Sequence, residues 1–262
     1  MNDVVDHNRA AWDAQSNSGE SEWCEPVSPA EIARARADDW ELILTPVRGV
    51  PRSWFGGPVA DQRILCLASG GGQQAPLLAA AGARVTSFDN SPAQLEKDDL
   101  VARREGLDIE LQQGDMADLS RFADGSFDLI FHPVSNVFAE ALEPVWRECY
   151  RVLAEPGRLL SGFMNPDFFL FDHDALERGA QMVVTYRLPF ADNKDLPAAE
   201  LAGRRERLEA LEFSHSLDAQ IGGQIAAGFN LAGFYEDRWS DAATPLNVYM
   251  PTSMATLALK QG

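Results

Sequence analysis

The stretch Arg63–Asp89, RILCLASGGGQQAPLLAAAGARVTSFD, decides the fold. Ile64-Leu65-Cys66-Leu67 is an apolar run without polar alternation, as expected of a strand covered on both faces. Gly70, Gly71 and Gly72 follow at once. Gln73–Ala81, rich in Ala and Leu and closed by Gly82, reads as a helix with a glycine stop. Val85–Phe88 is a second strand ending in Asp89, 17 residues after Gly72. Strand, glycine loop, helix, strand and terminal acid make the first half of a nucleotide-binding α/β unit. Glycines let the backbone turn sharply and approach a ligand closely. The amides at the following helix start suit a carboxylate or phosphate, and Asp89 is placed to accept hydrogen bonds from two ribose hydroxyls.

Downstream the same rhythm continues. Ser91-Pro92-Ala93-Gln94 is a helix start, with Ser as N-cap, Pro at the first helical position and Gln at the third. That helix runs to about Glu105 and stops at Gly106. Ile109–Gln112 is a third strand, followed by Gly114-Asp115-Met116. Phe127–Phe131 is a fourth strand, with His132-Pro133-Val134-Ser135-Asn136 at its carboxyl end, where open α/β sheets bind ligands. Pro144–Leu153 is an amphipathic helix. Arg158–Phe163 is a fifth strand, leaving through Met164-Asn165-Pro166.

From about 165 to 213 the rhythm breaks into a cap insertion, with a possible strand at Gln181–Leu188 and a charged helix at Pro197–Leu211. A helix around Gln220–Ala227 and strands near Leu231–Glu236 and Met254–Lys260 close the chain. Upstream, residues 1–58 form a helical arm and connector, and residues 59–262 the ligand-binding domain. In the arm, Asn8–Asp13 and Pro29–Leu44 read as helical, the second opened by a Ser28/Glu31 capping box. Trp12, Trp23 and Trp40 anchor the arm, chiefly by packing, with a lid over a ligand as the alternative.

Composition sets the outer limits. The chain has 262 residues, 45% apolar and 24% charged, with a formal net charge of −18. Such a surface repels phosphate backbones, so nucleic acid is not expected as a substrate. Cys24, Cys66 and Cys149 have neither disulfide nor zinc spacing. No signal peptide or membrane span is evident, which makes the cytoplasm the expected location. Phe171-Asp172-His173-Asp174 looks like a metal site only superficially, because consecutive residues on a regular element cannot all face one ion; a helix cap accounts for it better, and no metal is expected.

These residues together resemble the class I S-adenosylmethionine (SAM)-dependent methyltransferases, over roughly 60–165 plus the C-terminal strands. FADGSFDLIF, a helix and then RVLAEPGRLL are also similar to that superfamily. The resemblance implies a Rossmann-like fold with a mostly parallel seven-stranded sheet and helices on both faces. It implies SAM as cofactor, with S-adenosylhomocysteine (SAH) as product. The methionine end would fall to Ala68, Ser69, Gly70 and Gly72, the ribose to Asp89 with Asn90, and the adenine to Asp115 with Met116. Many members carry an acid in the first strand and a glycine two residues on. Here those positions are Cys66 and Ala68, which leaves backbone carbonyls or Gln73 for the methionine amine.

The Asn/Asp-Pro-Pro-Tyr motif of amide and base methylation is absent, with His132-Pro133-Val134-Ser135 in its place. A small-molecule acceptor is therefore expected. The chain is also expected to act as a monomer or homodimer. His132 is the candidate base, being titratable near neutrality and expected to face the reacting centre, and it is also placed among the cofactor contacts. Asn165 is the candidate for orienting the substrate. Two other readings stay open. A nicotinamide-dependent reductase would want a Tyr-x-x-x-Lys pair, which neither Tyr150 nor Tyr186 supplies. A non-catalytic SAM-binding sensor or partner subunit would bind SAM without turning over any acceptor.

Overall fold

The apolar run Ile64–Leu67, which the sequence marks as a strand buried on both faces, lies between two parallel neighbours inside one seven-stranded sheet. The computed structural model describes residues 3–240 and 242–261. The strands are β1 (Arg63–Leu67), β2 (Arg84–Asp89), β3 (Ile109–Gln113), β4 (Phe127–His132), β5 (Leu153–Met164), β6 (Asn230–Asp237) and β7 (Ser253–Lys260). Their order is β3-β2-β1-β4-β5-β7-β6. Strands β1 to β5 run parallel, and β7 is antiparallel to both its neighbours.

The missing alternation in β1 has its expected cause. Ile64 and Cys66 join a core on one face with Phe55, Leu129 and Phe131. Leu65 and Leu67 join the opposite core with Phe88, Ile130 and Trp146. These four β1 side chains are fully buried, while Arg63 at the strand start is half-buried. The chain winds one way from β1 to β3 and the other way from β4 onward. The crevice at the carboxyl ends of β1 and β4 is therefore the switch point where such sheets bind ligands.

The helices are α1 (Asp3–Ser18), α2 (Pro29–Arg36), α3 (Gln74–Ala80), α4 (Pro92–Glu105), α5 (Glu143–Val152), α6 (His173–Glu177), α7 (Asp192–Asp195), α8 (Ala198–Glu206) and α9 (Gly223–Ala226). The Ser28/Glu31 capping box is present in full. Gly106 ends α4 in the left-handed conformation, φ +65°. Asp172 caps α6 by accepting the Ala175 amide, and His173 stacks on Phe168.

Three elements differ from the expectation. Helix α2 ends at Arg36 rather than near Leu44, and Asp38 sits at φ +60°. Beyond it Trp40, Leu42 and Leu44 are buried while Glu41 is exposed. This is a period of two, which belongs to extended chain. Strand β5 begins five residues early, at Leu153, because Phe127 pairs with Leu153 before the register shifts to Leu129 with Arg158. Residues 181–188 form no strand. Only the Thr185 and Tyr186 amides bond, both to the Leu170 carbonyl, and Val183 and Val184 are exposed.

The arm is tied to the sheet by a buried amide. Asn8 Nδ2 donates to the carbonyls of Phe138 (3.2 Å) and Leu211 (3.0 Å), and its Oδ1 accepts the Leu211 amide at 2.8 Å. One side chain thus joins α1, the exit of β4 and the end of the insertion. Asn8→Ala removes all three partners, and buried backbone groups without partners cost about 1–3 kcal/mol each. The expected loss in chemical denaturation is about 3 kcal/mol with the far-ultraviolet spectrum unchanged. A loss below about 1 kcal/mol would show that this tie does not hold the arm.

Candidate active site

A cavity of about 1220 Å³ opens at the switch point. Its floor is the β1 exit and glycine loop, and one wall is the end of β2 with Asp89 and Asn90. Asp115 and Met116 form another wall after β3. Pro133–Ser135 and Phe138 come from the β4 exit, Met164 from the β5 exit, and the roof from α1 and the insertion.

The loop is shaped by its surroundings. Ala68 lies at φ +47°, an unusual conformation for a residue with a Cβ, and its amide donates to the Phe88 carbonyl at 2.7 Å. Gly70 cannot carry a side chain, since a Cβ would stand 2.7 Å from Gln94 Cβ. Asp89 receives the Gly70 amide on Oδ2 at 3.0 Å and the Ser91 amide on Oδ1 at 2.9 Å. Each oxygen keeps a further lone pair for a ligand hydroxyl. Burial pushes the Asp89 carboxyl up to about 6 against the opposing pull of those amides, and Asp13 adds like-charge repulsion.

Ala68, Ser69, Gly70, Gln73, Asp89, Asn90, Asp115 and Met116 all line the cavity. Within that set, the Asn90 side chain is committed elsewhere: Nδ2 donates to the Val5 carbonyl at 2.8 Å and Oδ1 accepts from Arg9 Nε at 3.3 Å. Gln73 Nε2 reaches the Glu22 and Glu25 carbonyls and holds the arm on the loop.

Three expected residues lie outside the cavity wall. Gly72 faces away: its amide donates to Asp98 Oδ1 at 2.8 Å and its carbonyl accepts the Val27 amide at 2.9 Å. A Cβ there would stand 2.9 Å from Pro26 Cβ. His132 is fully buried behind the β4 exit, with Nδ1 2.9 Å from the Leu67 carbonyl and Nε2 2.5 Å from Asn136 Oδ1. Burial lowers its pKa against those two bonds. The ring is buried off the cavity wall with both nitrogens turned onto protein groups, so it reaches neither a substrate proton nor the cofactor, and the base role and the cofactor contact are both withdrawn. Asn165 caps the turn that follows it, accepting the Asp167 amide at 3.1 Å, and donates to the Pro251 carbonyl at 2.9 Å. Its amide orients chain rather than substrate.

Gln94, Glu212 and Trp239 reach the cavity although the sequence reading passed over them, and Trp12 and Trp23 reach it as the alternative of a lid over a ligand expects. Gln94 was legible only as a helix-start residue. Its amide does bond Ser91 Oγ, but its side chain crosses to the cavity wall, where Nε2 lies 3.0 Å from Cys24 Sγ and Oε1 has no partner among the described residues. Trp12 meets Phe138 edge-on at 5.1 Å, and Trp23 meets Trp239 at 5.5 Å; all four rings line the cavity. Trp40 instead packs in the core against Phe55. Glu212 lines the far end beside Arg204, its carboxyl pushed up to about 7 by burial and by the charge of Asp192.

A methyltransferase-domain family model matches residues 65–161, the span from β1 into β5. A Bacillus subtilis protein named uncharacterized methyltransferase YbaJ is 48% identical over 99% of this chain and 100% of its own length. Among solved structures, an S-adenosylmethionine-dependent methyltransferase from Mesorhizobium loti superposes with a TM-score of 0.59 at 18% identity, covering 80% of this chain and 95% of that one. The 1,6-didemethyltoxoflavin-N1-methyltransferase of Burkholderia thailandensis, with its acceptor and S-adenosylhomocysteine bound, gives 0.57 at 13% identity over 98% and 89% of the two chains. Near-half identity along the full length to a methyltransferase, on this sheet order and around this glycine loop, establishes that the chain belongs to the class I SAM-dependent methyltransferases.

Proposed function

We propose that the protein methylates a small molecule in the cytoplasm, inside a chamber built from the sheet ends, the arm (1–58) and the insertion (165–213). The observation that carries this reading is the cavity itself. At about 1220 Å³ it exceeds the roughly 300–1000 Å³ of a typical single-ligand site, leaving room for an acceptor beside the cofactor. The residues fit SAM. Among the described residues, Gln94 Oε1 is a buried acceptor without a partner, suited to an ammonium, and Ser69 Oγ has no partner other than the Cys66 thiol. Ala68, Ser69 and Gly70 would hold the methionine end, Asp89 the ribose, and Asp115 with Met116 the adenine. Bound there, SAM supplies an electrophilic methyl on a good leaving group, so the chain's main contribution is alignment and water exclusion.

Trp12, Phe138, Trp23 and Trp239 form the aromatic part of the acceptor side, where ring faces suit an apolar or cationic group. Glu212 is the titratable group at the far end that burial holds near neutrality. The three cysteines are buried and free, in keeping with a reducing compartment. Trp12→Ala is expected to raise the acceptor KM about tenfold or more while SAH affinity stays within about threefold, the pattern of a lost aromatic anchor. The assay is SAH release across phenols, amines and thiols. Release that occurs only with protein or nucleic acid would contradict the small-molecule reading.

The Asp89 assignment gives a pH signature. The ionised carboxylate accepts ribose hydroxyls, and its raised pKa of about 6 keeps it ionised at pH 8 and protonates it below 6. SAH affinity measured calorimetrically should fall about tenfold per pH unit below that point. Asp89→Asn should remove this limb and weaken binding at pH 8 by roughly 1–3 kcal/mol. A flat profile in the unmutated protein would contradict the ribose role.

A further inference from the structure

The glycine loop has no internal hydrogen bonds between Gly70 and Gly72, so its shape is imposed from outside. The Gly70 amide goes to Asp89, the Gly71 amide to the Gln94 carbonyl at 3.0 Å, and the Gly72 amide to Asp98. Two of these three acceptors stand one turn apart on α4, which therefore serves as the template for the loop. Asp98 differs from the other two. It is fully buried, lies outside the cavity wall, and has both oxygens engaged: Oδ1 by the Gly72 amide at 2.8 Å and Oδ2 by the Ser87 hydroxyl at 2.6 Å. Strand β1, RILCL, contains no carboxylate, and burial pushes the Cys66 thiol up.

Resting on the reading of this cavity as the SAM site, we propose that Asp98 is a positioning residue for the cofactor. It fixes Gly72 from α4 and so sets the curve that turns Ser69 and Gly70 toward the ligand. The arrangement is expensive for the fold. Desolvation pushes the Asp98 carboxyl up to about 7, with Asp89 adding repulsion, despite the bonds from Ser87 and Gly72. An apolar side chain would pack in the same space without that burden, so packing alone does not account for an acid at this place. What an apolar residue cannot do is accept the Gly72 amide, which at φ +81° has its carbonyl already held by Val27.

The test compares Asp98→Leu, which keeps volume, with Asp98→Asn, which keeps a carbonyl oxygen for Gly72. Ser87→Ala serves as a control in the full-length protein. Two readouts are taken: SAH dissociation constants by calorimetry, and exchange of the Gly72 amide by NMR without ligand. Asp98→Leu is expected to weaken SAH about tenfold or more and to speed Gly72 exchange by a similar factor, the scale of one lost bond to a charged group. Asp98→Asn should stay within about threefold on both, and Ser87→Ala likewise, since Gly72 keeps its acceptor. Unchanged SAH affinity in folded Asp98→Leu overturns the proposal, and so does equal loss in the two Asp98 variants. If Asp98→Leu does not fold, unprotected Gly72 in the unmutated protein overturns it, and protection shared by Asp98→Asn supports it. Absence of SAH binding by the unmutated protein, with Gly72 protected, would instead remove the cofactor reading and leave the anchor standing.

Discussion

The amides of Gly70, Gly71 and Gly72 need acceptors that their own loop does not contain, and meeting that need organises the site. A buried amide without a partner is costly, so three separate groups converge on one turn: a carboxylate at the end of β2, a carbonyl at the first turn of α4, and a second carboxylate one turn further on. The N-terminal arm closes the fourth side by giving its Val27 amide to the Gly72 carbonyl. Moving any of these elements leaves a buried polar group stranded. The turn is thus rigid before any ligand arrives, which lowers the entropy lost on binding.

The same constraint explains what was legible in the sequence. Parallel strands buried on both faces must be apolar without alternation, and glycines must stand where a Cβ would collide. Arg63–Asp89 therefore announced β1, the loop, α3 and β2 within a residue or two. Asp89, Asp115 and Ala68–Gly70 lie on the cavity wall because the ends of strands are fixed by the sheet. Residues 40–44 went astray for a local reason: good helix formers such as Glu41 and Leu42 obscured the alternation of Trp40, Leu42 and Leu44. Gln181–Leu188 has the composition of a strand but finds no partner strand, and tertiary context decides such segments.

Two of the three expected residues outside the cavity wall share one cause. His132 and Asn165 sit at strand exits, where the path of the next few residues determines whether a side chain faces the ligand or the core. At both exits the side chain is turned inward to satisfy backbone groups, Leu67 for His132 and Pro251 for Asn165. Gln94 and Asp98 were missed for the opposite reason. Both lie on a helix whose polar residues read as a solvated face, yet at 3% and 0% exposure they point at the glycine loop. Only the packing of α4 under the loop reveals them. Trp239 reached the cavity from a loop with no periodic signal at all.

The central claim is that this cavity holds SAM by the glycine loop, Asp89 and the Asp115–Met116 turn. The most direct measurement is a crystal structure of the protein with SAH. The account predicts both ribose hydroxyls on the Asp89 carboxylate, the adenine against Met116, and the methionine end over Ala68–Gly70, with His132 making no side-chain contact to the ligand. A nucleoside lying away from Asp89, or an imidazole of His132 turned out of its bonds to Leu67 and Asn136 and onto the ligand, would contradict it.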